Sequence, residues 1–158
     1  MATDMFLKLT DIKGEAKDSK HKDEIQIESW SFGETNTGTF SGGGGAGKVQ
    51  LQDFHFTMNT SKASPTLFLA CAQGKHIDEA ILTARATDND QVEYMKFKME
   101  DVLVTSYQAG GSANADLPMD QISLNYAKIE FSWTTRDAKG RAGETTTEFW
   151  DLRESEGS

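Results

Sequence analysis

Cysteine, long apolar runs and an export signal are scarce or missing in this chain of 158 residues, which has a single cysteine. One cysteine excludes an intramolecular disulfide framework. No apolar stretch approaches the ~20 residues that span a bilayer. The start, MATDMFLKLTDIKG, has no basic segment followed by the apolar core of a secretion signal. We therefore expect a chain without membrane insertion and without a signal peptide.

Positive charge is outnumbered, because 25 Asp and Glu residues stand against 16 Lys and Arg residues and give a formal net charge of −9. Such a chain repels phosphate backbones and anionic membrane surfaces. Nucleic acid and membranes are therefore not expected as partners. The length fits one domain, residues 1–158, and a hydrophobic content of 37% is enough for a core.

Signatures of catalysis, metal binding and cofactor binding are also missing. There is no G-x-S-x-G elbow for a serine nucleophile. Cys71 lies in an apolar helical segment, where a cysteine is usually a small core residue. The histidines lie apart, without H-E-x-x-H or paired cysteines, at His21, His55 and His76. We therefore expect no enzyme activity, no metal and no cofactor.

The most distinctive local segment is glycine-rich, with five glycines between Gly42 and Gly47. Together with Lys48 it matches G-x-x-x-x-G-K, the start of a phosphate-binding P-loop. A P-loop needs Ser or Thr after the lysine and a helix after the loop, whereas Val49 opens a strand-like segment here. We therefore interpret the segment as a flexible or backbone-exposing loop rather than a nucleotide site.

Short segments of alternating polarity dominate the rest of the chain. The regular candidates are MFLKLTDI, DEAILTARAT, QVEYMKFKM, DVLVTSYQ and TTTEFWDLR. In three others apolarity changes face partway, namely EIQIESWSF, KVQLQDFHFTMN and DQISLNYAKIEFSWTT. Such a change indicates a β-bulge or a strand with both faces covered. Many short strands separated by Gly, Asn and Asp are typical of a sandwich or barrel.

One segment, SPTLFLACAQG, predicts a helix over about residues 65–73. Ser64 is a suitable N-cap and Pro65 fits the first helical position. Gly74 stands where the helix should end. The helix is expected to pack on the β core.

The apolar residues on both parities of several strands need more cover than one small interior provides. A neighbouring subunit could cover the second face. We therefore infer an oligomer from the sequence. The alternative is that bulges re-aim the side chains within one subunit.

These segments, in this order and spacing, resemble one family over nearly the whole chain. The likeness begins with DMFLKLTDIKGEAKDSKHKDEI and SWSFG. It continues through GGGGAGKVQLQDFHFT, SPTLFLACAQGKHI, VEYMKFKMEDVLVTSY and ISLNYAKIEFSW. The chain resembles Hcp, the haemolysin-coregulated protein of bacterial type VI secretion systems.

The resemblance implies a compact β-barrel of two sheets with one flanking α-helix. It implies a non-enzymatic subunit of a homohexameric ring, and such rings stack into a tube inside a contractile sheath. Contraction drives the tube and its spike protein into a target cell, with effector proteins carried in the lumen. The protein would be made in the bacterial cytoplasm and secreted by the type VI apparatus without a signal peptide. The alternative is a small β-barrel module that binds a ligand or peptide.

The resemblance also assigns roles to residues. Ser31, in SWSFG, matches the family's lumen-facing, effector-binding serine. Ser29 joins it only if the strand register places both on one face. A ring–ring contact loop is expected at Gly42, Gly43, Gly44, Gly45, Ala46, Gly47 and Lys48.

Overall fold

The alternating segments become β-strands in the computed structural model, which describes residues 3–38, 48–88, 90–154 and 156–157. The strands up to the helix are β1 Thr3–Leu9, β2 Ile25–Gln26, β3 Ser29–Ser31, β4 Glu34–Asn36, β5 Val49–Leu51 and β6 Phe54–Asn59. The helix α1 spans Ala63–Gln73. The remaining strands are β7 His76–Ala86, β8 Glu93–Gly110, β9 Met119–Asn125, β10 Lys128–Arg136, β11 Ala142–Asp151 and β12 Glu156–Gly157.

The long strand β8 organises the main sheet, in which the strand order is β12-β11-β10-β8-β7-β1-β2. Its first half pairs with β7 and β10, and its second half pairs with β9. From β9 the sheet continues to β6 and β3. Strands β4 and β5 form a separate two-stranded sheet. The predicted mainly β fold of two sheets with a flanking helix is confirmed.

The segment 25–31 brings this sheet back to its starting strand. The N–H of Ile27 donates to the carbonyl of Met5 in β1, at 3.0 Å, and the N–H of Glu28 donates to the carbonyl of Thr57 in β6, at 2.8 Å. The hydrogen-bonded path through β1, β7, β8, β9 and β6 therefore returns to β1. This exchange of partner strands explains why apolarity changes face in EIQIESWSF, which forms two short strands rather than one.

Three other predicted strands have different limits in the structure. KVQLQDFHFTMN forms two strands, β5 and β6, rather than one. DVLVTSYQ is the continuation of β8 and not a separate strand. DQISLNYAKIEFSWTT forms β9 and β10, which are separated by Tyr126 and Ala127. The side chain of Tyr126 is buried and its hydroxyl donates to the carbonyl of Gln52, at 2.7 Å. The break between the strands is thus fixed inside the fold.

Aromatic side chains fill the centre of the core. Phe54 and Phe97 lie 5.5 Å apart between ring centroids, and Trp30 stacks on Phe54 at 5.9 Å. Both phenylalanines are buried. Fully buried residues around them include Leu7, Phe56, Met58, Leu67, Leu82, Met99, Val102, Ile122 and Leu124.

The helix begins two residues earlier than predicted, and Ser64 is not its N-cap. Ser64 lies inside the helix, where its buried hydroxyl donates to the carboxylate of Asp120 in β9, at 2.5 Å. The N–H of Ala63 donates instead to the hydroxyl of Ser61. Gly74 ends the helix in the left-handed conformation, with φ of 62°, as predicted. No helix in the described part of the chain is long and apolar enough to span a membrane.

The connection between β1 and β2, residues 10–24, is held against the β7–β8 hairpin at two points. Arg85 contacts Asp18 through two hydrogen bonds of 3.0 Å. His21 is buried, and its Nε2 atom lies 2.7 Å from Glu93 while its Nδ1 atom lies 3.0 Å from Glu24.

Candidate functional site

Ser31 lies at the end of β3, with its side chain exposed on the face opposite to the core. Trp30, the preceding residue, points inward and packs on Phe54. Ser29 is two residues earlier and is also exposed, so the pleat of the strand places it beside Ser31. The structure therefore brings the two serines together on one outer face, which the sequence left open.

This outer face continues over three further strands as two parallel rows of polar side chains. Strand pairing aligns Ser29 with Thr57, Gln121 and Gln108 in the first row. It aligns Ser31 with His55, Ser123 and Ser106 in the second row. We call this set the polar face: Ser29, Ser31, His55, Thr57, Ser106, Gln108, Gln121 and Ser123.

The polar face forms a shallow groove of about 360 Å³. Two hydrogen bonds cross it, between the hydroxyls of Ser29 and Thr57 at 2.6 Å and between His55 Nδ1 and the Ser123 hydroxyl at 2.7 Å. Within the described ranges, the other four side chains make no hydrogen bond to the protein; they are Ser31, Ser106, Gln108 and Gln121. These four remain available to a partner.

None of the eight side chains of the polar face is acidic, lysine or arginine. Among the residues that the structure describes, carboxylates border the polar face at its two ends. At one end Asp53 accepts hydrogen bonds from Thr105, at 2.6 Å, and Asn125, at 3.0 Å. At the other end Glu28 accepts one from Asn59, at 3.2 Å. The groove is thus a neutral surface between two acidic borders on an acidic protein.

A second exposed surface is apolar. Phe131 and Trp133 in β10 pair with the buried Phe97 and Met95 of β8, and the rings of Phe131 and Phe97 stack at 4.4 Å. They have the same parity as these core residues, yet their exposed fractions are 46% and 47%. Strand β10 therefore extends the inner face of the sheet past the region that the rest of the subunit covers.

The uncovered inner face continues into a groove of about 390 Å³ beside the β4–β5 sheet. Its apolar lining comprises Phe32, Val49, Phe97, Ile129, Phe131, Phe149 and Trp150. We call this groove, together with Trp133, the lateral groove. An uncovered apolar surface of this kind is typical of a protein–protein interface.

The glycine-rich loop is only partly described. Gly42, Gly43, Gly44, Gly45, Ala46 and Gly47 lie outside the described residues. Lys48 is exposed, and its N–H donates to the hydroxyl of Thr37, at 3.1 Å. Thr37 in turn donates its N–H to the carbonyl of Lys48, at 3.2 Å.

The residues considered for chemistry are not brought together. Cys71 is half-buried and packs against the core. His21, His55 and His76 contact different partners, namely two glutamates, Ser123 and Asp101. Over residues 3–38, 48–88, 90–154 and 156–157, no cluster of three or more His, Cys, Asp or Glu side chains is arranged to hold a metal ion.

Sequence reasoning named Ser31 through family resemblance, left Ser29 dependent on the strand register, and missed the other six residues of the polar face. The signal was present in the outward parity of each strand, since His55 and Thr57 alternate with buried phenylalanines and Gln121 and Ser123 alternate with Ile122. What a single sequence did not provide was the pairing of β3, β6, β9 and β8, which aligns these positions in rows.

Comparison with known proteins shows which family the chain belongs to. A family described as "Type VI secretion system effector, Hcp" matches residues 6–133. Protein hcp1 of Pseudomonas aeruginosa is 40% identical over 159 residues, which cover 98% of each protein. A solved type six secretion system protein has a TM-score of 0.93 at 27% identity, covering 99% of this chain and 100% of that one. Hcp1 from Salmonella typhimurium has a TM-score of 0.81 at 29% identity, with both chains fully covered. The chain therefore belongs to the Hcp family, the secreted tube proteins of the type VI secretion system, and is not an enzyme.

Proposed function

We propose that this chain is the subunit of a homohexameric ring that stacks into the inner tube of a type VI secretion system. The polar face would line the channel, with Ser31 and Ser29 in contact with effector proteins. A contractile sheath would surround the tube and a spike protein would cap it. The protein would be made in the bacterial cytoplasm and exported without a signal peptide.

The lateral groove is the observation that carries this proposal. Residues of core parity are left exposed at one edge of the subunit, as expected where a second copy completes the core. A head-to-tail contact between different surfaces of identical subunits closes into a ring when the rotation permits. The neutral, weakly interacting polar face suits a channel through which cargo must also leave.

Trp133→Glu is expected to convert rings into monomers. A buried aromatic anchor is often worth 2 kcal/mol or more at an interface, and in a ring the loss is repeated at every contact. Sedimentation velocity and negative-stain microscopy at micromolar concentration measure the result. The matched control is Ser132→Glu, which adds the same charge to the opposite face of β10 and should leave rings intact.

The proposal fails if the unmodified protein is monomeric at high micromolar concentration, or if Trp133→Glu forms rings as readily as Ser132→Glu does. A monomer that binds peptides on the polar face would instead favour the ligand-binding module.

The glycine-rich loop is proposed to contact the neighbouring ring in the stack. Glycine's backbone freedom would let it fit against a second surface, and Lys48 would add a positive contact on an acidic protein. Deleting Gly42 to Gly45 should preserve single rings and shorten the tubes seen by electron microscopy. Tubes of normal length in the deletion variant would refute this role.

A further inference from the structure

We infer that the polar face selects extended, uncharged polar segments of its cargo and holds them through neutral hydrogen bonds. This inference rests on the proposed function for the place of the face inside a channel. The chemistry of the face is independent of that function and can be tested with peptides.

The spacing of the face fits an extended chain. Each strand contributes two side chains that are two residues apart, such as Ser29 and Ser31, or Gln121 and Ser123. Residues two apart on a strand are separated by about 7 Å, and the same spacing separates side chains on one face of any extended segment. A cargo segment lying along the strands therefore meets a polar side chain at each of its own facing positions.

The free groups can both donate and accept. Gln108 and Gln121 are directly paired across β8 and β9, and each carboxamide offers N–H donors and a carbonyl acceptor. The unpartnered hydroxyls of Ser31 and Ser106 can play either part. Backbone amides and the side chains of Ser, Thr, Asn and Gln present the same mixture of groups, so they are matched by this surface.

Charge at the borders disfavours acidic cargo. An acidic segment would approach Asp53 and Glu28 without a cation on the polar face to compensate it. The carboxylates already accept hydrogen bonds from Thr105, Asn125 and Asn59. A basic segment would be attracted to the same two carboxylates and to the acidic protein as a whole, but salt screens that attraction, so a Lys-containing peptide should lose at high salt any advantage that it has at low salt. A neutral segment should bind with little dependence on salt.

Three end-capped octapeptides test the selection: alternating Ser and Gln, the same peptide with two Gln replaced by Glu, and the same peptide with two Gln replaced by Lys. Calorimetric titration into the full-length protein is carried out at low and high salt, about 50 and 500 mM NaCl, which changes the screening length more than threefold. The dissociation constant of the neutral peptide should change less than about twofold between these conditions. At low salt the acidic peptide should bind at least fivefold more weakly than the neutral one. Equal affinities, binding of the neutral peptide that disappears at high salt, or no binding of any peptide would each overturn the inference.

A second experiment places a negative charge in the polar face itself and repeats the peptide titration. Gln121→Glu keeps the shape of the side chain but removes its donor, and should weaken binding of the neutral peptide at least threefold. Gln73→Glu makes the same change on the exposed side of α1 and should leave binding unchanged. Equal binding by both variants would contradict the assignment to the polar face.

The oligomeric state of each sample separates the two proposals. Rings that bind all peptides equally would refute the selection and leave the tube function standing. Monomers that discriminate between peptides would support the selection and refute the tube function.

Discussion

Arg85→Met is expected to lower the free energy of unfolding by about 3 kcal/mol at neutral pH, the lower end of the range for breaking a buried ion pair. The guanidinium is buried, contacts both carboxylate oxygens of Asp18 and one of Asp4, and lies 5.0 Å from the ring of Phe6. Methionine fills part of the space but leaves two carboxylates without their cation. Both carboxylates keep some contact with water, which limits the loss. Urea denaturation measures the change.

The same variant should change how the free energy of unfolding depends on pH under acidic conditions. The hydrogen bonds from Arg85 lower the pKa of Asp18 to about 2. Because this pKa lies below that of an unfolded aspartate, near 4, the stabilisation is complete above about pH 4 and is lost as the pH falls toward 2. The unmodified protein should therefore lose more stability across this interval than Arg85→Met.

Arg141→Met is the matched control for Arg85. Arg141 also contacts an aspartate, Asp137 at 2.8 Å, but its side chain is 66% exposed. An exposed ion pair contributes about 0–1 kcal/mol. Two results would show that the buried cluster does not stabilise the connection between β1 and β2. One is that Arg85→Met lowers the free energy of unfolding no more than Arg141→Met does. The other is that the stability of Arg85→Met depends on acidic pH in the same way as that of the unmodified protein.

This cluster illustrates what a single sequence could not predict. His21 is isolated along the chain, and its contact with Glu93 spans 72 residues. Arg85 alternates with alanines in a segment that already predicted a strand, and nothing local indicates that its partners come from residues 4 and 18. Long-range pairs depend on which strands become neighbours, and the alternation of polar and apolar residues does not specify that choice.

Local physics predicted much more of the fold. Alternation located the strands, and Gly74 ended the helix where the left-handed conformation requires a glycine. The change of face in EIQIESWSF was real, but its cause was an exchange of partner strands rather than a bulge. Of the candidate site, Ser31 was placed through family resemblance, while the six residues on β6, β8 and β9 required the strand pairing.

The start of α1 shows a tertiary contact overriding a local signal. Ser64 followed by Pro65 is a good N-cap sequence, yet the Ser64 hydroxyl turns to Asp120, a fully buried residue of β9. Thr60 donates to the other oxygen of the same carboxylate, at 2.8 Å. Burial, and then the neighbouring Asp120, raise the pKa of the Tyr107 phenol. The helix has no acidic residue in its own first turn, so Asp120 supplies the negative charge favoured there.

Asp120→Ala is accordingly expected to lower the free energy of unfolding by about 3–5 kcal/mol, since two hydrogen bonds to a charged group are lost and the buried hydroxyl of Ser64 stays unpaired. Asp120→Asn should lower the free energy of unfolding less, because the side-chain carbonyl of asparagine can still accept a hydrogen bond from one of the two hydroxyls. The control is Asp116→Ala on the exposed loop before β9, which should stay within about 0.5 kcal/mol of the unmodified protein. Hydrogen exchange adds a readout specific to this contact: amides of α1 should exchange faster in Asp120→Ala relative to those of β7. Uniform acceleration across both elements would mean that Asp120 supports the fold in general and does not anchor the helix to β9.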